Sequence, residues 1–161
     1  MIIETGATYE ELLQAYYDCR KNKRNSKTAL HFEIDYETNL LELKWSLNNG
    51  TYKPEPLEVF IVTKPVRREI FAAAFRDRVV HHWLINHLNP YFEREFIYDS
   101  YACRKGKGTL FGIQRLERAI SRCSKNYQGD CWILKLDIQG FFMSIDKQIL
   151  WQRLKIFIDT Y

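Results

Sequence analysis

One twelve-residue run constrains the fold more than any other, Cys131-Trp132-Ile133-Leu134-Lys135-Leu136-Asp137-Ile138-Gln139-Gly140-Phe141-Phe142. Every second side chain from Trp132 to Ile138 is apolar and falls on one face of a strand, whereas Lys135 and Asp137 fall on the other. An aspartate is disfavoured in a strand and costly when buried without a partner. Mg2+ is a common partner, since it binds one or two carboxylates together with phosphates. The run therefore predicts a buried strand ending in a candidate metal ligand, with an ordinary strand-end aspartate as the alternative.

Composition sets the size class and excludes several kinds of protein. The 161 residues are 46% hydrophobic and 15% aromatic, enough for a substantial core in one domain or slightly more. No apolar run approaches the roughly 20 residues of a membrane span, and the N-terminus does not resemble a signal peptide. Four cysteines, Cys19, Cys103, Cys123 and Cys131, form no C-x-x-C pair. We therefore expect reduced thiols in a cytoplasmic protein rather than a zinc site or a disulfide framework.

Positive charge is concentrated in the middle of the chain. The net charge is only +4, but residues 60–125 contain 13 Lys and Arg against six Asp and Glu. A second basic cluster lies within residues 20–27. Interspersed charge is usually a solvated surface, whereas basic clusters beside Gly-rich turns and aromatic residues favour contact with phosphate.

Local signals place the remaining elements. A capping box beginning at Thr8 starts a first helix, and Asn89-Pro90 is expected to stop a later one. In chain order the predicted elements are a helix to Cys19, a solvated linker over 20–28, a helix over 35–48, a hairpin of strands 57–63 and 68–72, a helix over 76–88, a basic loop over 98–107, a helix over 109–125, the strand 131–138 and a helix over 146–158. The sequence thus predicts an α+β fold that is mostly helical, with one β-hairpin and one further strand.

Three motif blocks follow one another in a fixed order. The first spans 64–70 and leads into 75–82, the second spans 99–109, and the third spans 134–142. Together they resemble the first three motif blocks of bacterial retron-type reverse transcriptases, the family of group II intron, retron and diversity-generating retroelement enzymes. The resemblance covers roughly residues 55–158, and the first two blocks look closest to the diversity-generating retroelement enzymes.

The resemblance implies an RNA-directed DNA polymerase with a defined domain order. It implies an N-terminal helical extension over 1–56, fingers over 57–128 and the start of a palm, truncated, over 129–161. It also implies two Mg2+ ions, an RNA template, a DNA primer and deoxynucleoside triphosphates, with no membrane. The family takes its other metal ligands from a later Tyr-x-Asp-Asp hairpin, and this sequence contains no Asp-Asp pair. We therefore expect the 161-residue chain to be inactive alone. A non-catalytic nucleic-acid-binding module is the alternative.

The third block supplies the residues that the family uses in chemistry. By resemblance, Asp137 is the first catalytic aspartate and a metal ligand, and the backbone carbonyl of Ile138 is a second ligand. Phe142, five positions after the aspartate, resembles the steric gate that rejects a ribose 2′ hydroxyl. Plain core packing is the alternative for Phe142.

The first block resembles a fingers hairpin that closes on the incoming nucleotide. Its cations would neutralise the triphosphate charge, with Arg67 and Arg68 as the first candidates and Lys64 as the third. An ordinary surface hairpin is the alternative. Further along the first block, Arg76 and Arg78 flank Asp77, and they either hold template phosphate or pair with that aspartate structurally.

The second block resembles the template-gripping loop. Gly-rich backbone and flanking cations would meet the strand there, with Arg104 as the first candidate, followed by Lys105 and Lys107. Tyr101 is a candidate for stacking on a base. Many group II intron enzymes have Phe-Arg-Pro-Gly where this chain has Cys103-Arg104-Lys105-Gly106, which favours a different branch of the family.

The strand over 131–138 carries one more expectation. Without its sheet neighbours it would expose an edge of unpaired backbone groups. Such an edge favours self-association or disorder.

Overall fold

The computed structural model describes residues 6–21, 26–65 and 67–161. Two compact units divide the chain: unit 1 ends at Pro90, and unit 2 begins at Tyr91. The elements of the described residues are α1 (Tyr9–Arg20), α2 (Lys27–Glu33), α3 (Tyr36–Asn48), β1 (Glu58–Val62), β2 (Arg68–Ala72), α4 (Phe75–Glu95), α5 (Thr109–Cys123), α6 (Phe141–Ser144) and α7 (Lys147–Thr160). The expected mostly helical α+β class with one hairpin is confirmed. Among these helices, none combines the length and the apolar character that crossing a membrane requires.

Helix α1 begins with the predicted capping box. The Thr8 hydroxyl accepts a hydrogen bond from the Glu11 amide at 3.2 Å, and the Glu11 carboxylate accepts one from the Thr8 amide at 3.1 Å. These reciprocal bonds satisfy two amides that have no partner inside the helix. The helix ends at Arg20, one residue beyond the predicted end.

Helix α2 corrects the expectation of a linker over 20–28. Its first turn is capped by Ser26, whose hydroxyl accepts a hydrogen bond from the Ala29 amide at 3.3 Å. Ala29 and Phe32 lie one helical turn apart and are 0% and 6% exposed, so the short helix has a buried face. The remaining part of the predicted linker, 22–25, lies outside the described residues.

The buried hydrophobic core of the described residues lies entirely in unit 1. Leu40 and Leu43 of α3 are fully buried, as their helical spacing predicts. They pack with buried residues of α1, α2 and the first half of α4. The buried cluster consists of Ala7, Leu12, Ala15, Tyr16, Cys19, Ala29, Phe32, Leu40, Leu43, Phe75, Val79, Val80 and Trp83.

Strands β1 and β2 form the predicted hairpin. They pair antiparallel, with Glu58 opposite Ala72 and Val62 opposite Arg68. The hairpin contributes nothing to the buried cluster, and apolar side chains such as Phe60 stay about half exposed, at 49%. Val66 in the turn lies outside the described residues.

Helix α4 continues past the predicted stop at Asn89-Pro90 and ends at Glu95. Proline inside a helix removes one backbone hydrogen bond and crowds the preceding turn. Aromatic packing after the proline offsets that cost. The Phe92 ring stacks on Phe157 of α7 with centroids 4.6 Å apart, and Tyr91 contacts Tyr161 at 5.3 Å.

The predicted strand over 131–138 is wrong as a buried sheet element. The structure gives it neither helix nor strand pairing, and Trp132, Leu134 and Leu136 are 94%, 80% and 81% exposed. A strand needs a neighbour to complete its hydrogen bonds, and no other strand of the described residues pairs with this segment. The expectation of exposed, unpaired backbone is thereby confirmed.

The helices around this segment follow the sequence predictions closely. Helix α5 begins at Thr109 as predicted. Asp146 caps α7, accepting hydrogen bonds from the amides of Gln148 at 2.8 Å and Ile149 at 3.1 Å. All four cysteines are free thiols, as expected.

Candidate nucleic-acid interface

The tip of the hairpin presents three cations to solvent. Lys64 and Arg67 lie in the turn, and Arg68 is the first residue of β2. All three are exposed, and none has an ion pair or hydrogen bond with another described residue. An anion can therefore bind there without displacing a partner from the described part of the chain.

The base of the hairpin is tied to α4 by a buried aspartate. Asp77, 2% exposed, accepts hydrogen bonds from the Tyr52 hydroxyl at 2.6 Å and from the Glu55 amide at 2.8 Å. Arg76 lies 3.5 Å from the same carboxylate and stacks over the Tyr52 ring at 5.0 Å. Burial, followed by the hydrogen bond to Asp77, raises the pKa of Tyr52 well above its usual value. Arg76 thus takes the structural pairing that the sequence left as one of two alternatives.

Arg78 occupies a different environment from Arg76. Its Nη2 atom lies 3.4 Å from the Thr28 hydroxyl, and its guanidinium lies 5.8 Å from the Phe75 ring centroid. Its Nε atom is buried and has no hydrogen-bond partner among the described residues. Thr28 and Phe75 also line a cleft of about 480 Å³ in unit 1, together with Lys27, His31, Phe32, Asn39, Glu42, Glu55, Ala74 and Arg76.

Arg104, the first candidate for template binding, is held by Glu93 near the end of α4 and by carbonyls of its own loop. Its Nε and Nη2 atoms contact the Glu93 carboxylate at 2.9 and 2.8 Å. Its Nη1 atom donates to the carbonyls of Ile97 at 2.9 Å and Ser100 at 3.1 Å. The side chain is only 9% exposed. Arg104 therefore stabilises the loop 96–108. We expect a substitution of Arg104 to affect template binding only indirectly, through the conformation of this loop.

A second cluster in the same loop surrounds Asp99. The carboxylate accepts hydrogen bonds from the Tyr101 hydroxyl at 2.6 Å and from Arg115 Nε at 3.0 Å. These bonds hold the pKa of Asp99 below its usual value, and the bond to Asp99 raises the pKa of Tyr101. The Arg115 guanidinium also lies 5.1 Å from the Tyr98 ring centroid. The hydroxyl of Tyr101 is thereby occupied, while its ring also contacts Phe111 at 5.9 Å.

The two lysines of the loop differ in availability. Lys107 donates to the Tyr98 carbonyl and lies over the Tyr98 ring at 4.2 Å. Lys105 is exposed and has no partner within the described part of the chain. Of the predicted template cations, Lys105 is therefore the most accessible to phosphate.

Asp137 lies exposed in the unpaired segment 131–138. Its Oδ1 atom accepts a hydrogen bond from the Ile138 amide at 3.0 Å. The next aromatic pair, Phe141 and Phe142, meets edge to face at 5.2 Å, and Phe142 is 85% exposed. Phe142 is therefore not packed in a core of described residues.

Asp137 does not stand in a cluster of metal-ligand side chains. Two-metal chemistry needs several oxygen ligands, and among the described residues no group of three or more His, Cys, Asp and Glu side chains stands together. Asp137 offers one exposed carboxylate, and its role in metal binding stays a prediction.

Sequence reasoning missed Arg115, Tyr52 and Glu93 as partners of the site residues. Asp99 lies inside the second motif block, so a search for its counter-ion was the available signal for Arg115. Tyr52 and Glu93 gave none, because their roles depend on contacts that span 25 and 11 residues of sequence. No family model matches the chain, and no curated protein matches it.

Proposed function

We propose that this chain is the N-terminal part of a cytoplasmic RNA-directed DNA polymerase of the retron type, containing the fingers and the first part of the palm. The observation that carries the proposal is the order and spacing of the three motif blocks over 64–142. The exposed cations at the hairpin tip, which have no partner among the described residues, support it, because a triphosphate-binding hairpin requires accessible positive charge.

The proposal assigns each exposed group a task. Lys64, Arg67 and Arg68 bind and neutralise the triphosphate of the incoming nucleotide. Lys105 binds template phosphate, and Phe142 limits the space beside the sugar. Asp137 and the Ile138 carbonyl are members of a magnesium site whose other ligands the described residues do not provide. Magnesium, when bound, supplies stabilisation of the attacking and leaving oxygens.

The first test is a primer-extension assay with the 161-residue chain, Mg2+ and a primed RNA template. We expect no extension, because a single carboxylate does not complete a two-metal site. Asp137→Asn should leave binding of the primed template unchanged or slightly tighter, since it removes a negative charge. Magnesium-dependent extension by the chain alone would contradict this prediction.

Binding itself is tested by its salt dependence. Each phosphate contact contributes roughly 0.7–0.9 to the slope of log affinity against log salt concentration. We expect Lys105→Ala, which removes the cation assigned to template phosphate, to make that slope shallower by roughly one with primed template. The matched control is Lys147→Ala, which removes the same charge from α7 and should leave the slope unchanged.

A non-catalytic nucleic-acid-binding module is the second candidate. It stays an alternative because the given 161 residues contain no Asp-Asp pair. A reading frame that continues beyond codon 161 into a Tyr-x-Asp-Asp hairpin would favour the polymerase. A stop codon there, together with salt-sensitive RNA binding, would favour the module.

A further inference from the structure

The segment 131–138 leaves its backbone groups available for pairing. Between Asp130 and Ile138, no backbone amide or carbonyl takes part in a backbone hydrogen bond with a described residue. Among described partners, the one side-chain acceptor for an amide of this stretch is Asp137, which accepts from the Ile138 amide. An exposed row of unpaired donors and acceptors is a template for a strand from another chain.

The side chains of this segment alternate in a way that suits a half-buried strand. Leu134, Leu136 and Ile138 are 80%, 81% and 66% exposed, and they share one face in an extended conformation. Lys135 and Asp137 share the other face and are exposed. A partner strand therefore has to bring apolar side chains to one face and complementary charges to the other.

A second copy of the same segment meets both requirements in one antiparallel register. When Leu136 faces Leu136 of the second copy, Leu134 faces Ile138, and Lys135 faces Asp137. Two-fold symmetry repeats each of these pairs, so the interface holds two opposite-charge pairs and a continuous apolar face. The segment is self-complementary in this register.

Neighbouring registers lack this complementarity. Centring the pair on Lys135 or on Asp137 places two like charges directly opposite each other, which is destabilising. A shift of one strand by a single residue places the apolar side chains of one strand opposite the charged side chains of the other. Parallel in-register pairing places the two Lys135 side chains next to each other. A parallel arrangement shifted by two residues gives a head-to-tail contact, which does not form a closed symmetric dimer.

We propose that two copies of this chain associate through antiparallel pairing of residues 132–140, centred on Leu136. The pairing completes the backbone hydrogen bonds of the segment and covers its apolar side chains. It goes beyond the polymerase proposal and does not depend on it, because it rests on the pattern and exposure of this segment alone. It concerns the chain without bound magnesium, in which Asp137 is available to pair with Lys135 of the second copy.

Charge reversal tests the register. Lys135→Asp and Asp137→Lys each place like charges opposite each other at two symmetric positions. We expect each variant to weaken dimerisation about tenfold or more in sedimentation velocity at low salt. An equimolar mixture of the two variants should dimerise again, because two carboxylates on one strand then face two ammonium groups on the other. The double variant Lys135→Asp/Asp137→Lys should likewise recover dimerisation. Circular dichroism of each variant checks that it is folded.

Cysteine cross-linking tests the two-fold centre. In a background with Cys103, Cys123 and Cys131 changed to Ser, Leu136→Cys places two thiols opposite each other and should oxidise to a covalent dimer. Ile133→Cys is the matched control. In the proposed register, position 133 of one copy faces Gln139 of the other. The two introduced thiols therefore lie six positions apart along the paired strands, about 20 Å.

Three outcomes would overturn the proposal. The first is a wild-type chain that stays monomeric at its highest soluble concentration. The second is a dimer whose affinity does not respond to either charge reversal, which would place the interface elsewhere. The third is equal cross-linking of the two cysteine variants, which would show that the register is not fixed.

Discussion

Each unit contains a Tyr–Asp–Arg cluster, and the two clusters differ in their burial. In unit 1, Asp77 has a side-chain exposure of 2% and binds the Tyr52 hydroxyl at 2.6 Å. In unit 2, Asp99 has a side-chain exposure of 50% and binds the Tyr101 hydroxyl at the same distance. Burial is the main cause of the raised pKa of Tyr52, whereas the hydrogen bond is the main cause for Tyr101. The same kind of Tyr–Asp hydrogen bond therefore forms in a buried environment in unit 1 and in an exposed one in unit 2.

The two units differ in the same way as a whole. Every buried hydrophobic residue among the described residues lies in unit 1, and Ser124 is the one buried described residue of unit 2. Unit 2 leaves large apolar side chains exposed on α5 and α7, including Leu110 at 69% and Trp151 at 63%. Helices of this length are marginal without an apolar partner surface. The buried hydrophobic core of the described residues thus belongs to unit 1, and unit 2 has no buried hydrophobic residue among those described.

The largest expected effect comes from emptying the core of unit 1. Leu40→Ala removes a fully buried side chain and should lower the free energy of unfolding by about 2–5 kcal/mol. The matched control is Leu110→Ala in α5, where the side chain is 69% exposed, and there we expect a change within about 0.5 kcal/mol. Urea unfolding followed by circular dichroism measures both. Equal losses would contradict the contrast between the units.

The next effect compares the two aspartates directly. Asp77→Ala leaves the Tyr52 hydroxyl and the Glu55 amide without their acceptor, and should cost about 2–3 kcal/mol because these donors are partly buried. Asp99→Ala removes the same kinds of partner from an exposed site, where water replaces them, so its cost should be much smaller. Urea unfolding of the two variants under identical conditions decides the comparison.

A smaller effect is expected at the helix caps. Thr8→Ala breaks the capping box of α1 and should cost about 1 kcal/mol of global stability. Asp146→Ala removes the equivalent cap from α7, which lacks buried residues, so we expect local fraying instead. Hydrogen exchange distinguishes the two, since a global loss speeds exchange throughout unit 1 and fraying speeds it at the start of α7 alone.

The smallest effect is a dependence on alkaline pH. Because the folded-state pKa of Tyr52 lies above its ordinary value of 10.0, the folded chain retains a proton that the unfolded chain loses. Stability from Tyr52 is therefore complete below pH 10.0 and falls as the pH rises above it. Tyr52→Phe should flatten part of this decline in urea titrations at increasing pH. If the free energy of unfolding falls with pH equally steeply in the wild type and in Tyr52→Phe, other tyrosines control the decline.

Local signals predicted the local features of this fold. The Thr8 capping box and the spacing of Leu40 and Leu43 depend on neighbours three or four positions away, and the structure contains both. The segment 131–138 depends on strands that alternation alone does not supply, and it was wrongly predicted to be a buried strand. Pro90 was wrongly predicted to end α4, because distant aromatic packing outweighs its local preference.

The candidate site was predictable to a similar extent. The cations of the hairpin tip are exposed, as a phosphate-binding role requires, and that role stays a prediction. The partners of Arg104 are two loop carbonyls and Glu93, which no residue pattern identifies, because they depend on the path of the backbone. The sequence shows how many cations the candidate site contains, but it does not show which of them are already bound by other residues of the chain.

The anchoring of the hairpin at Asp77 has a consequence for how this protein can change over evolution. Asp77 accepts hydrogen bonds from Tyr52 and Glu55 at the base of the hairpin, and the described residues of 58–72 take no part in the buried cluster. Substitutions, insertions or deletions at the tip therefore leave the folding of unit 1 largely intact. Selection can adjust the hairpin to a new ligand while the core remains under separate constraint. The hairpin tip should thus tolerate sequence changes that the core does not. Libraries randomised between Lys64 and Arg68 should yield a high fraction of folded variants.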